Sequence, residues 1–195
     1  MKRHFAVFLL LMSSLTMYSQ DHHKPQIAVK TNAVGWAMGT VNAAVELDIA
    51  ENWSVNLPVY YSGYDYFTET LKFRTFTFQP EFRYHFPEVE GLFIGAHLGL
   101  GWFNVAYGDW RIQDSGRPAY GGGLGIGYRI PFRKNDRWAV EFALGAGVYD
   151  AAYDRFYNEA NGPADALNLR KVFVGIDNAA VTFLYSIDLK KEGRR

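Results

Sequence analysis

The sequence predicts an all-β fold, an eight-stranded antiparallel up-and-down β-barrel of the outer-membrane, transmembrane type. Three observations predict it. Apolar and polar residues alternate with period two along most of the chain, connections alternate between short and long, and the bulky side chains lie on the face opposite the charges. Composition narrows the alternatives. The 195 residues carry 20 Lys+Arg against 20 Asp+Glu, 17% aromatics, 19 Gly and no Cys. That length suits one domain. A zero formal charge gives no support for a nucleic-acid partner, and the lack of Cys excludes a disulfide scaffold or a Cys-ligated metal centre. So many aromatic residues also argue against a disordered chain.

Residues 1–20 read as a secretory signal. Lys2, Arg3 and His4 form a basic head, residues 5–12 are unbroken apolar, and a more polar stretch ends at Ser19-Gln20. The apolar run is too short to cross a bilayer as a helix. Cleavage after Gln20 leaves residues 21–195 as a single domain, with 18 basic residues against 20 acidic ones. The protein is therefore expected to be exported, and the barrel pattern makes the outer membrane its expected location. His22 and His23 follow as a solvated tail.

Eight strands are expected. Short ones lie near residues 27–34 and 43–49. In the next, Trp53, Val55, Leu57, Val59 and Tyr61 oppose Ser54, Asn56, Pro58, Tyr60 and Ser62. The clearest alternation runs over residues 73–86, with Phe76, Phe78, Pro80, Phe82, Tyr84 and Phe86 on one face. Thr75, Thr77, Gln79, Glu81, Arg83 and His85 fall on the other. Residues 94–102 and 124–130 alternate aliphatic side chains with glycines. Residues 138–148 set Trp138, Val140, Phe142, Leu144, Ala146 and Val148 against Glu141, Ala143, Gly145 and Gly147, and residues 181–189 close the series. Tight turns fall at 50–52, 87–91 and 131–136, and longer loops at 35–41, 63–72, 108–117 and 150–170. This asymmetry matches short periplasmic turns and longer surface loops.

The faces decide between water and lipid. An eight-stranded interior is only just wide enough for side chains, so the bulky set would overfill it, whereas Gly, Ala, Thr and paired charges would fit. The aromatic face is therefore expected to meet lipid. Trp53 and Trp138 at one end, and Trp102 and Tyr107 at the other, fall where interfacial girdles belong.

The run Lys30-Thr31-Asn32, Glu46, and Trp53-Ser54-Val55-Asn56-Leu57-Pro58-Val59 together resemble an uncharacterised family of small exported proteins of Gram-negative bacteria, domain of unknown function 3575. Gln79-Pro80-Glu81-Phe82-Arg83-Tyr84 is similar to its most specific motif. Phe103-Asn104-Val105, Trp138 with Glu141, and Gly145-x-Gly147-x-Tyr149 are similar too, so the resemblance covers residues 28–187. It implies an outer-membrane barrel, and a fimbria-associated role because members are often encoded near surface fimbriae. It implies no activity and no catalytic residues. This chain departs from many members in lacking a pair of cysteines in the last long loop.

Two groups of residues stand out as candidate sites. Lys30, Glu46, Glu81, Arg83, Arg129, Glu141 and Asp188 share the inward parity and are expected to form a lumen charge network. Such a network serves either as a salt-bridged plug or as an ion path or gate. In the last loop, Tyr153, Asp154, Phe156, Tyr157 and Glu159 mix aromatic and polar groups as binding surfaces do. Gly123-x-Gly125-x-Gly127 is read as space for lumen side chains, because no helix follows to hold a phosphate. No cofactor, metal site or catalytic residue is expected. The expected function is non-enzymatic: a surface-loop scaffold in envelope integrity, adhesion or fimbria-associated assembly. The alternatives are an outer-leaflet lipid hydrolase, for which no Gly-x-Ser-x-Gly turn exists, and a narrow solute channel. Expected partners are outer-membrane lipid, the barrel-assembly machinery during insertion, and a surface or fimbrial protein.

Overall fold

A computed structural model describes residues 26–68, 71–159 and 162–189. The expected signal segment and His22 and His23 lie outside the described residues. β1 (Gln26–Asn32) leads through a short helix, α1 (Ala33–Ala37), to β2 (Val41–Ala50), β3 (Trp53–Thr68), β4 (Leu71–Phe78) and β5 (Glu81–His85). Then come β6 (Leu92–Tyr107), β7 (Trp110–Asp114), β8 (Ala119–Phe132), β9 (Asn135–Tyr157) and β10 (Ala164–Asp188). Among the described residues the protein is thus all-β apart from α1, and every pairing is antiparallel. β1 pairs with β10 from Gln26↔Asp188 to Asn32↔Thr182, which closes the sheet into a ring.

Ten strands fill eight positions around this ring. β4 and β5 both lie between β3 and β6, and β7 and β8 both lie between β6 and β9. The single strand expected over residues 73–86 is interrupted at Gln79-Pro80, because proline has no N–H for the ladder. The pairing is otherwise kept: Gln79 N donates to Pro58 O (3.2 Å) and Pro80 O accepts from Leu98 N (3.0 Å). Side-chain parity therefore passes through the break unchanged, with Gln79, Glu81 and Arg83 all buried.

Tight turns occur near the expected places, at residues 51–52, 87–91 and 133–134. At the second, Gly91 takes φ +86°, and a side chain there would strike the Arg129 carbonyl. The expected long loops are more ordered than their sequences suggested. Residues 35–41 include part of α1, whose first turn is capped by Asn32 Oδ1 accepting from Val34 N (3.0 Å). Within residues 63–72 the β3–β4 ladder continues through Gly63↔Arg74 and Tyr64↔Phe73 and, after a register shift, Thr68↔Leu71, and residues 108–117 hold β7.

The largest correction concerns residues 150–170, expected as a loop. They form a hairpin arm in which β9 and β10 pair from Asp150↔Val172 up to Phe156↔Ala164, and, among the described residues, positions 158, 159, 162 and 163 lie outside both strands. Two irregularities near Ala166 obscure the alternation. Asn168 absorbs one of them with φ +56°, a conformation asparagine tolerates, while Asp154 Oδ1 accepts from its backbone N (2.7 Å).

The two faces of the ring divide as the alternation requires. Leu98 (68% exposed), Leu124 (70%) and Leu144 (52%) point outward, while Glu46 and Glu141 (each 1%) point inward. Aromatic rings pair on the outside near the tight turns, Trp53 with Phe82 at 4.8 Å and Trp138 with Tyr185 at 5.0 Å. The interior at that end is closed by Ala28, Ala139 and Leu184.

Candidate functional site

Six of the seven expected interior charges meet. β1 contributes Lys30, β2 Glu46, β5 Glu81 and Arg83, β8 Arg129, and β9 Glu141, each at an inward position of its strand. Three cations thus face three carboxylates. Lys30 Nζ contacts Glu46 Oε2 and donates to Glu141 Oε2 at 2.9 Å. Arg83 holds Glu81 through Nε (2.7 Å) and Nη2 (2.6 Å), while its Nη1 reaches Glu46 (3.0 Å) and Glu141 (2.8 Å). Arg129 Nη2 adds contacts to Glu46 (2.7 Å) and Glu141 (3.0 Å). Glu46 and Glu141 are therefore each shared by all three cations, which is how charges so deeply buried escape the cost of an unpaired ion.

Asp188 does not join them. It lies at the tight-turn rim, where it accepts from Gln26 Nε2 (2.9 Å) and sits 4.0 Å from Arg137 Nη2, with its side chain 44% exposed. Its parity is right, but the strand has reached the mouth of the ring by that residue, so its carboxylate is solvated rather than enclosed.

Neutral residues complete the network. Ser54 donates to Glu46 Oε1 (3.0 Å) and lies 2.9 Å from His85 Nε2, and Asn56 donates to Glu81 Oε2 (3.2 Å). Phe93 lies under the Arg83 guanidinium at 4.4 Å. Parity already placed Ser54, Asn56 and His85 inside. Phe93 precedes the stretch read as a strand, yet it shares parity with Gly95 and His97.

A second buried cluster lies further from the tight turns. His97 Nε2 is 2.6 Å from Asp177 Oδ2, Tyr149 OH donates to the same oxygen (2.8 Å), and Gln79 Nε2 donates to Tyr149 OH (3.2 Å). Asp177 is the extra residue of a β-bulge, since Ile176 pairs with Ala146 and Asn178 with Gly145. The bulge turns Asp177 inward while Ile176 stays 66% exposed, a reversal of parity that alternation cannot anticipate. The interior glycines make room for this cluster. A side chain at Gly147 would meet Asp177, one at Gly123 would meet His97, and one at Gly99 or Gly121 would meet Tyr149. Glycine thus supplies space for side chains across the ring, as its period-two spacing indicated.

What volume remains is small. Between the two clusters lies a cavity of about 30 Å³, bordered by Lys30, Asn56, Tyr60, Gln79, Arg83 and His97 among others, enough for a single water. Beyond it, an open vestibule of about 350 Å³ is bordered by Asn32, Met38, Thr40, Thr77, Ile176 and Asp177.

The five candidate interaction residues lie on the hairpin arm. Tyr153, Asp154, Phe156 and Tyr157 are on β9 and all pair with β7, Tyr153 and Phe156 with β10 as well, while Glu159 lies at the exposed tip. Trp110 of β7 packs on Tyr157 at 5.0 Å, Arg111 on Phe156 at 4.7 Å, and Arg155 on Trp110 at 4.7 Å. Arg155 also binds Asp165 (2.6 Å). Most of this aromatic and polar mixture is therefore used within the arm, leaving Tyr157 and Glu159 as its most open members. Among the described residues, no cluster of three or more His, Cys, Asp or Glu has metal-binding geometry.

Residues 5–187 match the family described as protein of unknown function (DUF3575). No curated protein and no solved structure matches the chain.

Proposed function

This chain belongs to the DUF3575 family of proteins of unknown function, and from that premise we propose that it is an exported outer-membrane β-barrel, non-enzymatic, whose plugged ring carries a stiff surface arm for envelope integrity, adhesion or fimbria-associated assembly. One observation carries the reading: the ring is inverted relative to a water-soluble protein. Its enclosed side holds three carboxylates and three cations, while its outer side presents Leu98, Leu124, Ile126, Leu144 and Val148 at 51% exposure or more. An exposed apolar surface continuous around a closed sheet is stable against lipid and unstable in water. The 11 residues of β9 from Trp138 to Val148 suit the roughly 9–11 that a tilted strand needs to cross the hydrocarbon. The aromatic pairs near the tight turns lie where a periplasmic girdle would sit. Above this band β7, β9 and β10 form the arm, which is the part such a barrel offers to partners.

The test is direct. Full-length protein expressed with residues 1–20 intact is expected in the outer-membrane fraction. Folded in detergent, it is expected to migrate differently on a gel before and after boiling. A protein that stays soluble without detergent and shows no such shift would overturn the reading.

A further inference from the structure

The wall of the ring is uneven in height. β1 ends at Asn32 and β2 begins at Val41, with α1 between them, while their neighbours continue, β10 up to Ala164 and β3 up to Thr68. Asn32 marks the top of the low section. Its Oδ1 accepts from Val181 N (3.2 Å) and its Nδ2 approaches Ala179 O (3.5 Å), ending the β1–β10 ladder on a side chain. Above that point β10 is paired on one side only. Residues 169–176 pair in unbroken register with β9, from Leu169↔Tyr153 to Ile176↔Ala146, and among the described residues no strand pairs with their other edge.

That edge is only partly protected: α1 packs beside β10, register shifts flank the stretch at Ala166/Leu169 and Ile176/Asn178, and Arg170 and Lys171 lie within it. Natural sheets blunt open edges with charged side chains, prolines, bulges, short strands or a covering helix; within residues 169–176 there is no proline and no register shift, so the backbone groups of the edge itself stay in strand geometry. Val172 (57% exposed), Val174 (71%) and Ile176 (66%) stand on the outward face, and Phe173 (47%) on the other. Arg170 is held by Asp150 (2.7 Å), whereas Lys171 has no carboxylate within ion-pair range among the described residues.

We infer that the open edge of β10 at residues 169–176 is a β-augmentation site, filled by an extended segment of a second protein that runs in the direction of β1 and continues its position in the ring. Only a polypeptide backbone presents N–H and C=O groups at the spacing of a strand edge. The chemistry of the segment follows from its neighbours: apolar residues alternating beside Val172, Val174 and Ile176, and an acidic residue opposite Lys171. This deepens the scaffold reading and rests on the ring spanning a bilayer, which excludes two other occupants. Hydrocarbon cannot satisfy backbone hydrogen bonds, so lipid leaves the edge unpaired. Antiparallel self-pairing of two β10 edges needs a two-fold axis across the strands, which would turn one copy upside down in the membrane.

Full-length protein in detergent tests this by amide hydrogen exchange. The probe is a short synthetic peptide alternating valine and threonine with one glutamate. Its control is the same peptide N-methylated at the residues facing β10. The unmodified peptide is expected to slow exchange within residues 169–176 by about tenfold or more while the methylated one does not, and Lys171→Glu is expected to weaken the effect. Equal protection by both peptides, or protection confined to other strands, would overturn the proposal. So would protection of this edge, without peptide, that rises with protein concentration or appears on adding lipid vesicles. A protein with the gel shift but no peptide protection refutes the edge site alone; peptide protection of a detergent-free soluble protein refutes the membrane reading alone.

Discussion

Arg83 touches every carboxylate of the interior network and rests its guanidinium on Phe93. Its removal would leave three carboxylates facing two cations, whereas loss of Glu81 would free only one arm of the same arginine. Breaking a buried ion pair from one side costs about 3–5 kcal/mol, because the remaining charge stays desolvated. Arg83→Ala and Glu81→Ala are therefore both expected to lower the unfolding free energy by about that amount, Arg83→Ala more, in urea titrations of the detergent-folded protein. Unchanged unfolding in both variants would refute the network. Asp188→Ala supplies the contrast. Its carboxylate is exposed at the rim, so the change is expected to stay within about 0.5 kcal/mol. Glycine at 147 is tested in the same assay: Gly147→Val would push a side chain into Asp177 and the Gly122 carbonyl, costing about 1–3 kcal/mol by overpacking.

At the scale of elements, period-two alternation was sufficient wherever the ladder is regular. It placed Lys30, Glu46, Glu81, Arg83, Arg129 and Glu141 on the inside and the aromatic rows on the outside, because each strand keeps one parity along its pairing. It could not place Asp177, since a bulge reverses parity without any local signal. Nor could it show residues 150–170 to be a hairpin arm. There the register shifts near Ala166 and the mixture of Asp, Arg and Asn imitate a loop, while the stabilising contacts with β7 come from distant sequence. Asn168 is the hinge of that misreading and a place to test it. At φ +56° a β-branched residue is strained by about 1–2 kcal/mol. Asn168→Val is therefore expected to speed hydrogen exchange and proteolytic nicking at the tip of the arm, and Asn168→Gly to leave the arm ordered. Equal behaviour of the two variants would show that the backbone there does not hold this conformation.

For the molecule as a whole, the decisive quantity is the space left inside the ring. A narrow channel needs a continuous water path, and both clusters lie across it. The charged layer is knit by Arg83, Arg129 and Lys30, the next by His97, Asp177 and Tyr149, and the cavity between them is about 30 Å³. Ala28, Ala139 and Leu184 narrow the far end. Moving an ion through would require separating pairs at 2.6–3.0 Å in a desolvated interior, where each broken contact exposes a charge that nothing else compensates. The neutral formal charge of the chain has the same origin in part: acids and bases balance inside the ring, so enclosing them leaves no net field to attract ions. Full-length protein reconstituted in planar bilayers is accordingly expected to give no resolvable conductance steps. Arg83→Ala, if it inserts, is expected to let water and small ions into the emptied layer and give brief, small steps. Steady open-channel currents from the unaltered protein would refute the plug and favour a solute pathway.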